Sequence, residues 1–516
     1  MKPTILLAAM AALVSTSAVV RAEVALPAFF SDHAVLQRDK PLPVWGTAAP
    51  GEAVSVSLGA ESATTTAGAD GRWLVTLKPQ PLSKAPLTLT VKGTNTLTKS
   101  DILLGDVWLC SGQSNMSIGV GHFFAIPEYK DDLKAAGETP LIRHFGVVEN
   151  FATEVQSDVQ GKWLVSSAGS VPQFTAVGYY FARAVHAATG VPIGILRAAK
   201  GSTNIEMWMT PEAIYATPEM AKLAQQMRGS LAAWEEEKKT AVAAGKQPGA
   251  DDFPPHPFGE KARKPRCVTL HNGMIHPLAP MALRGILWYQ GEGNANPEGI
   301  AMYPAAKRAL VESWRTAFAD PALPFLFVQL PNYQPVSEDP AKLENWALMR
   351  EAQAKCLEIP NTFMAVTLDI GQLEDIHPTN KYDVGERLAA LVLHHVYQQP
   401  AVVARGPVFK ELKIAGDKAV VSFSELGGGL MAAAKDGRKP VVAQPDGKLA
   451  RFAIAGEDQK WVWADARIQG DTVVVSSPQV PKPVAVRYGF TANPAGANLY
   501  NKAGLPAAPF RTDTSK

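Results

Sequence analysis

The stretch Val107-Trp-Leu-Cys-Ser-Gly-Gln-Ser-Asn-Met116 decides the reading of this chain. Val107 to Cys110 is a short apolar run, and the polar, glycine-containing segment Ser111 to Met116 ends it. A run that is apolar at every position predicts a strand buried on both faces, as in a parallel sheet covered by helices. Further runs of this kind follow at Ile193-Gly-Ile-Leu196, Gly285-Ile-Leu-Trp-Tyr289, Phe325-Leu-Phe-Val328 and Phe363-Met-Ala-Val-Thr-Leu368. Helix candidates alternate with them at Ala176 to Thr189, Tyr303 to Ala317, Asn345 to Cys356 and Lys381 to Tyr397. The predicted fold is α/β, a parallel sheet flanked by helices, over residues 101–400. On such sheets ligands bind beyond the carboxyl ends of the strands, so the residues after each run come first under suspicion.

Both flanks read as β-structure. Ala53-Val-Ser-Val-Ser-Leu58, Trp73-Leu-Val-Thr-Leu77 and Leu87-Thr-Leu-Thr-Val91 are separated by turn signals such as Ala49-Pro-Gly51 and Ala69-Asp-Gly71. They predict a small sandwich-like domain over 23–100. No aromatic platform stands out there, which favours bracing over sugar binding. Ala419-Val-Val-Ser-Phe423, Thr472-Val-Val-Val-Ser476 and Ala485-Val-Arg-Tyr488 predict a C-terminal β-rich domain over 401–516. Within the central region, residues 211–266 begin helical and charged and become rich in proline and glycine, which predicts a helical insertion with a solvated face.

The first 22 residues read as a cleavable signal peptide: Lys2, an apolar stretch from Ile5 to Val20, then small residues around Ala22. The stretch is short for a membrane span and Ser15, Thr16 and Ser17 interrupt it, so a secreted or periplasmic protein without a span in its mature chain is expected. The 516 residues carry a formal net charge of +2 and no dense Lys/Arg stripe, which argues against nucleic-acid binding. Cys110, Cys267 and Cys356 form neither a disulfide framework nor a C-x-x-C pair, so buried free thiols are expected and no metal site is indicated.

Chemistry concentrates at the strand ends. Ser111 and Ser114 compete as nucleophile after the first run. A serine hydroxyl is weak at neutral pH and needs a base. Among 10 histidines, His377 lies on the loop after the last run, in Asp375-Ile-His-Pro378, with a carboxylate two positions before it. Such a carboxylate fixes the tautomer and stabilises the imidazolium. Trp288-Tyr-Gln-Gly-Glu-Gly-Asn294 offers amides able to donate to an oxyanion, and Lys200-Gly-Ser-Thr-Asn204 offers the Gly201 backbone N–H.

These residues resemble the sialate O-acetylesterase family, a carbohydrate-esterase branch of the SGNH hydrolases. The resemblance runs through Gly-Gln-Ser-Asn-Met116, Gly201-Ser-Thr-Asn-Ile-Glu206, Leu270-His-Asn-Gly-Met-Ile-His-Pro277, Trp288-Tyr-Gln-Gly-Glu292, Asp375-Ile-His-Pro-Thr-Asn-Lys381 and the tail Gly504 to Asp513. It implies an SGNH-type sheet, Ser114 as nucleophile, His377 as general base and Asp375 as its acid partner. The superfamily usually places the acid three positions before the histidine, so Glu374 and Asp369 stand as substitutes. Oxyanion and substrate contacts are implied for Gly201, Gln113, Asn204, Glu292 and an amide at Gln290 or Asn294. The implied activity is hydrolysis of O-acetyl esters of sugars, sialate 9-O-acetyl esters first and acetylxylan or other polysaccharides as the alternative, without metal or organic cofactor. Two rivals are a glycoside hydrolase pairing Glu292 with Asp369 or Glu206, and a non-catalytic sugar-binding protein.

Overall fold

A computed structural model describes residues 23–122, 129–248, 252–259, 267–444 and 446–513; the expected signal peptide lies outside them. The central sheet is built from β1 (Thr96–Gly112), β2 (Ile142–Gly146), β3 (Trp163–Val165), β4 (Ile193–Ala199), β5 (Gly285–Tyr289), β6 (Phe325–Val328) and β7 (Thr362–Ala365). Its order is β7-β6-β5-β1-β4-β2-β3, parallel throughout except for the antiparallel edge strand β3. The α/β expectation holds: β5 and β6 are buried at every residue, as strands covered on both faces must be.

Strand order reverses about β1, with β4 on one side and β5 on the other, so a crevice opens at its carboxyl end. The register brings three strand ends together there, Gly112 facing Ala199 on β4 and Tyr289 on β5. Gly112 has φ +127°, and a Cβ on it would lie 2.1 Å from the Tyr289 carbonyl oxygen. Only glycine fits.

The helices that carry or flank the site are α1 (Ser114–Ser117), α2 (Ala176–Thr189), α3 (Pro297–Ala317), α4 (Asn345–Lys355) and α5 (Lys381–His395). α2 pairs with α5, and α3 with α4. α2 has the bounds its sequence signals predict, because Thr175 caps its start and Gly190, at φ +68°, ends it. α3 starts six residues before the expected Tyr303: Asn296 caps it by accepting from Gly299 N–H, and Pro297 fits the first turn, where no N–H is needed. β7 is shorter than the run Phe363 to Leu368, since pairing to β6 ends at Ala365.

β1 crosses position 100 without a break. Its first half pairs with Ser83–Lys92 in the N-terminal β region and its second half lies in the central sheet. One apolar core runs under both, whereas the C-terminal β region has its own core around Val421, Ile454, Val473 and Val486. Within 211–266 the described residues form the helices Pro211–Ala216 and Ala221–Ala243. Cys110, Cys267 and Cys356 are buried free thiols, and burial pushes the Cys267 and Cys356 thiols up to about 12. Among the described residues no helix is long and apolar enough to cross a membrane.

Candidate active site

Ser114 is the first residue of α1, directly beyond the carboxyl end of β1. Its Oγ lies 2.9 Å from His377 Nε2, across 263 positions of sequence. Ser111, the competing serine, is fully buried within β1 and its Oγ has no hydrogen-bond partner among the described residues. Of the two serines, Ser114 is the one that faces a histidine.

The loop after β7 supplies His377. Asp375 Oδ1 accepts the His377 backbone N–H at 2.8 Å, closing an Asx turn, and the same oxygen faces His377 Nδ1 at 3.6 Å. At that distance the contact is electrostatic rather than a hydrogen bond. The spacing of two is what brings one oxygen to both nitrogens. The substitutes lie elsewhere: Glu374 is exposed, and Asp369 is held by both Arg387 terminal nitrogens at 2.7 Å and by the Tyr500 hydroxyl at 3.0 Å. Burial is the largest influence on the His377 pKa and pulls it down; the Lys381 charge adds to this and the Asp375 charge opposes it.

A buried polar chain fastens this loop to the serine turn. Asn115 Nδ2 donates to Glu292 Oε1 at 2.6 Å and to the Ile376 carbonyl at 3.0 Å. Lys381 Nζ donates to Asn115 Oδ1 and to the Pro378 carbonyl, both at 2.6 Å. The residue after Ser114 thus holds, directly or through Lys381, the carbonyls on either side of His377. Burial lowers the Lys381 pKa to about 7 and raises that of Glu292, disfavouring the charged form of each. Sequence reasoning counted Glu292 but missed Asn115 and Lys381 as a clamp; their signal was only their place beside Ser114 and after His377.

Gly201, after β4, packs on Ser114: a Cβ there would lie 3.3 Å from Ser114 Cβ. Neither the Ser114 nor the Gly201 N–H has an acceptor among the described residues. The Gln290 amide is turned inward in this structure. It is fully buried, and its Nε2 donates to the Thr203 carbonyl at 3.2 Å and to Asn294 Oδ1 at 2.7 Å while Tyr303 donates to its Oε1. Both hydrogens are engaged inward, leaving none for an oxyanion. Asn294 is 1% exposed and turned to the same network, donating to Glu206 Oε2 and accepting from Ile205 N–H. Asn204 is half-buried and gives one Nδ2 hydrogen to Glu206 Oε1, and Gln113 accepts the Gly293 N–H through Oε1. These two amides keep N–H to donate.

Fold and site together place the chain among the carbohydrate esterases, enzymes that hydrolyse carboxylic esters. More particularly, it belongs to the family described as carbohydrate esterase, sialic acid-specific acetylesterase, whose model matches residues 104–234 and 268–394. It is similar to the sialate O-acetylesterase of Rattus norvegicus, 27% identical with 93% of each chain covered. The human sialate O-acetylesterase is 25% identical over 93% of this chain and 91% of its own. A carbohydrate acetylesterase from Xanthomonas citri of known structure is 37% identical, with a TM-score of 0.78 over 95% of this chain and 100% of that one.

Proposed function

We propose that this chain is an exported acetylesterase that removes O-acetyl groups from sugars, sialic acids first among them, through a Ser114 acyl-enzyme. The observation that carries the reading is the 2.9 Å contact between Ser114 Oγ and His377 Nε2 at the strand-order reversal. The family and the names of its relatives support the substrate class. Export rests on the leader read at 1–22.

In this mechanism His377 takes the Ser114 proton as Oγ attacks the acetyl carbonyl. Charge on the carbonyl oxygen is met by the Ser114 and Gly201 N–H groups, with Asn204 or Gln113 as the third donor in place of Gln290. One well-placed donor is worth on the order of 10²–10³ in rate. His377 then gives its proton to the departing sugar oxygen. Water, deprotonated by the same ring, attacks the acetyl-serine and releases acetate. Asp375 keeps the ring oriented, and no step calls for a metal or organic cofactor.

The glycosidase rival needs two carboxyls facing each other across an open bond. Glu292, Glu206 and Asp369 are each held in an internal network instead. Incubation of the purified protein with O-acetylated sialic acid, acetylated xylan and acetylated hexoses tests the reading. Acetate is expected from at least the first, with no new reducing ends. Reducing ends without acetate would favour glycoside hydrolysis and reject the proposal.

A further inference from the structure

β4 carries an arginine that the reaction above does not use. The side chain of Arg197, four positions before Gly201, makes no hydrogen bond or ion pair among the described residues, and its Nε is shut off from water. On the neighbouring strand β2, His144 is 2% exposed and its Nδ1 likewise has no partner. The two side chains meet over Gly146: a Cβ built there would lie 3.4 Å from both Arg197 Nη2 and His144 Cε1. Both line a cleft of about 860 Å³ whose walls include Ser117, Gly119, His122 and Lys162.

Their protonation makes both groups donors. Thr175 N–H donates to His144 Nε2 at 3.4 Å, so the neutral ring carries its hydrogen on Nδ1. Burial, aided by the Arg197 charge, presses the His144 pKa down to about 3, so the ring is neutral at ordinary pH. Burial pulls the Arg197 pKa down too, yet a guanidinium stays charged. Glu149 is the acid whose charge reaches Arg197, but Lys200 Nζ holds its carboxylate at 2.5 Å. A largely desolvated cation beside a buried N–H, both without acceptors, is costly unless an anion completes it. A planar carboxylate matches a guanidinium fork through two parallel hydrogen bonds.

The cleft adjoins the reacting pair. Ser117 closes α1 with its Oγ 3.3 Å from the Ser114 carbonyl, and the charge of His122 is felt at His377. We propose that Arg197 and His144 Nδ1–H form a subsite for a carboxylate borne by the substrate, which makes this enzyme selective for acetyl esters of acidic sugars. The proposal rests on the esterase reading and adds the group that selects among its substrates.

Acetate release from an O-acetylated sialic acid and from its carboxamide, alike but uncharged, tests it. For the wild type, kcat/KM is expected to be roughly 10–100-fold higher for the acid, with the difference in KM. Arg197→Gln should collapse that ratio to near one, and Arg197→Lys should restore part of it. Thermal melts establish that the variants are folded, and the wild-type ratio stands on its own if they are not. A wild-type ratio near one, or a folded Arg197→Gln that keeps the preference, overturns the subsite and leaves the esterase reading intact. No acetate from either compound or from neutral acetylated sugars sinks the esterase reading, and the subsite with it.

Discussion

Ser114→Ala is expected to lower acetate release by on the order of 10⁴–10⁶-fold with little change in thermal stability. The loss is large because Ser114 Oγ is the atom His377 Nε2 faces. The fold should tolerate the change. Ser114 is only half-buried, so the His377 nitrogen left behind can be met by water, and no buried donor is orphaned. Ser111→Ala provides the contrast: that hydroxyl is sealed within β1 without a hydrogen-bond partner among the described residues, and its removal should leave kcat unchanged. Acetate release and melting temperature, measured on both variants, check the pair.

His377→Ala should cost a comparable factor, and the pH profile of the wild type should carry the ring's signature. His377 acts as base only when neutral. Burial and the Lys381 charge lower its pKa below the ordinary value of 6.5, so the neutral form persists further into acid. The kcat/KM profile should therefore be flat near neutrality and fall as the pH drops through an inflection below about 6.5. Asp375 opposes this shift, so Asp375→Asn should move the inflection further to the acid side and lower the plateau. An acid limb with its inflection well above 7 would assign the base to another group.

Much of the fold was legible because its strands are buried on both faces. β5 and β6 read as unbroken apolar runs and have the bounds those runs predict. The end of β7 was not legible, since pairing rather than hydrophobicity decides where a strand stops. The start of α3 was hidden by Asn296-Pro297, which reads as a turn and acts as a cap and first residue. At the site, Ser114 and His377 were readable as residue types at strand ends. The inward hydrogen bonds of Gln290 were not readable, because they depend on where Thr203, Asn294 and Tyr303 come to lie. The clamp of Asn115, Glu292 and Lys381 joins segments up to 266 positions apart, a juxtaposition no local pattern encodes.

The C-terminal β region reaches the surroundings of the site at several points, Asn380 donating to the Gly437 carbonyl and Lys435 pairing with Asp383 among them. Tyr500 and Arg387 share the Asp369 carboxylate at the root of the His377 loop, which engages Asp369 away from the histidine and ties the loop to the C-terminal β region.

The most direct test of Ser114 as nucleophile is the position at which a fluorophosphonate attaches. Fragment-ion mapping of the labelled enzyme should place a single adduct on Ser114, distinguished from Ser111 in the same peptide, with loss of acetate release in proportion to labelling. An adduct on Ser111 or on another residue, or full activity after complete labelling, would contradict it.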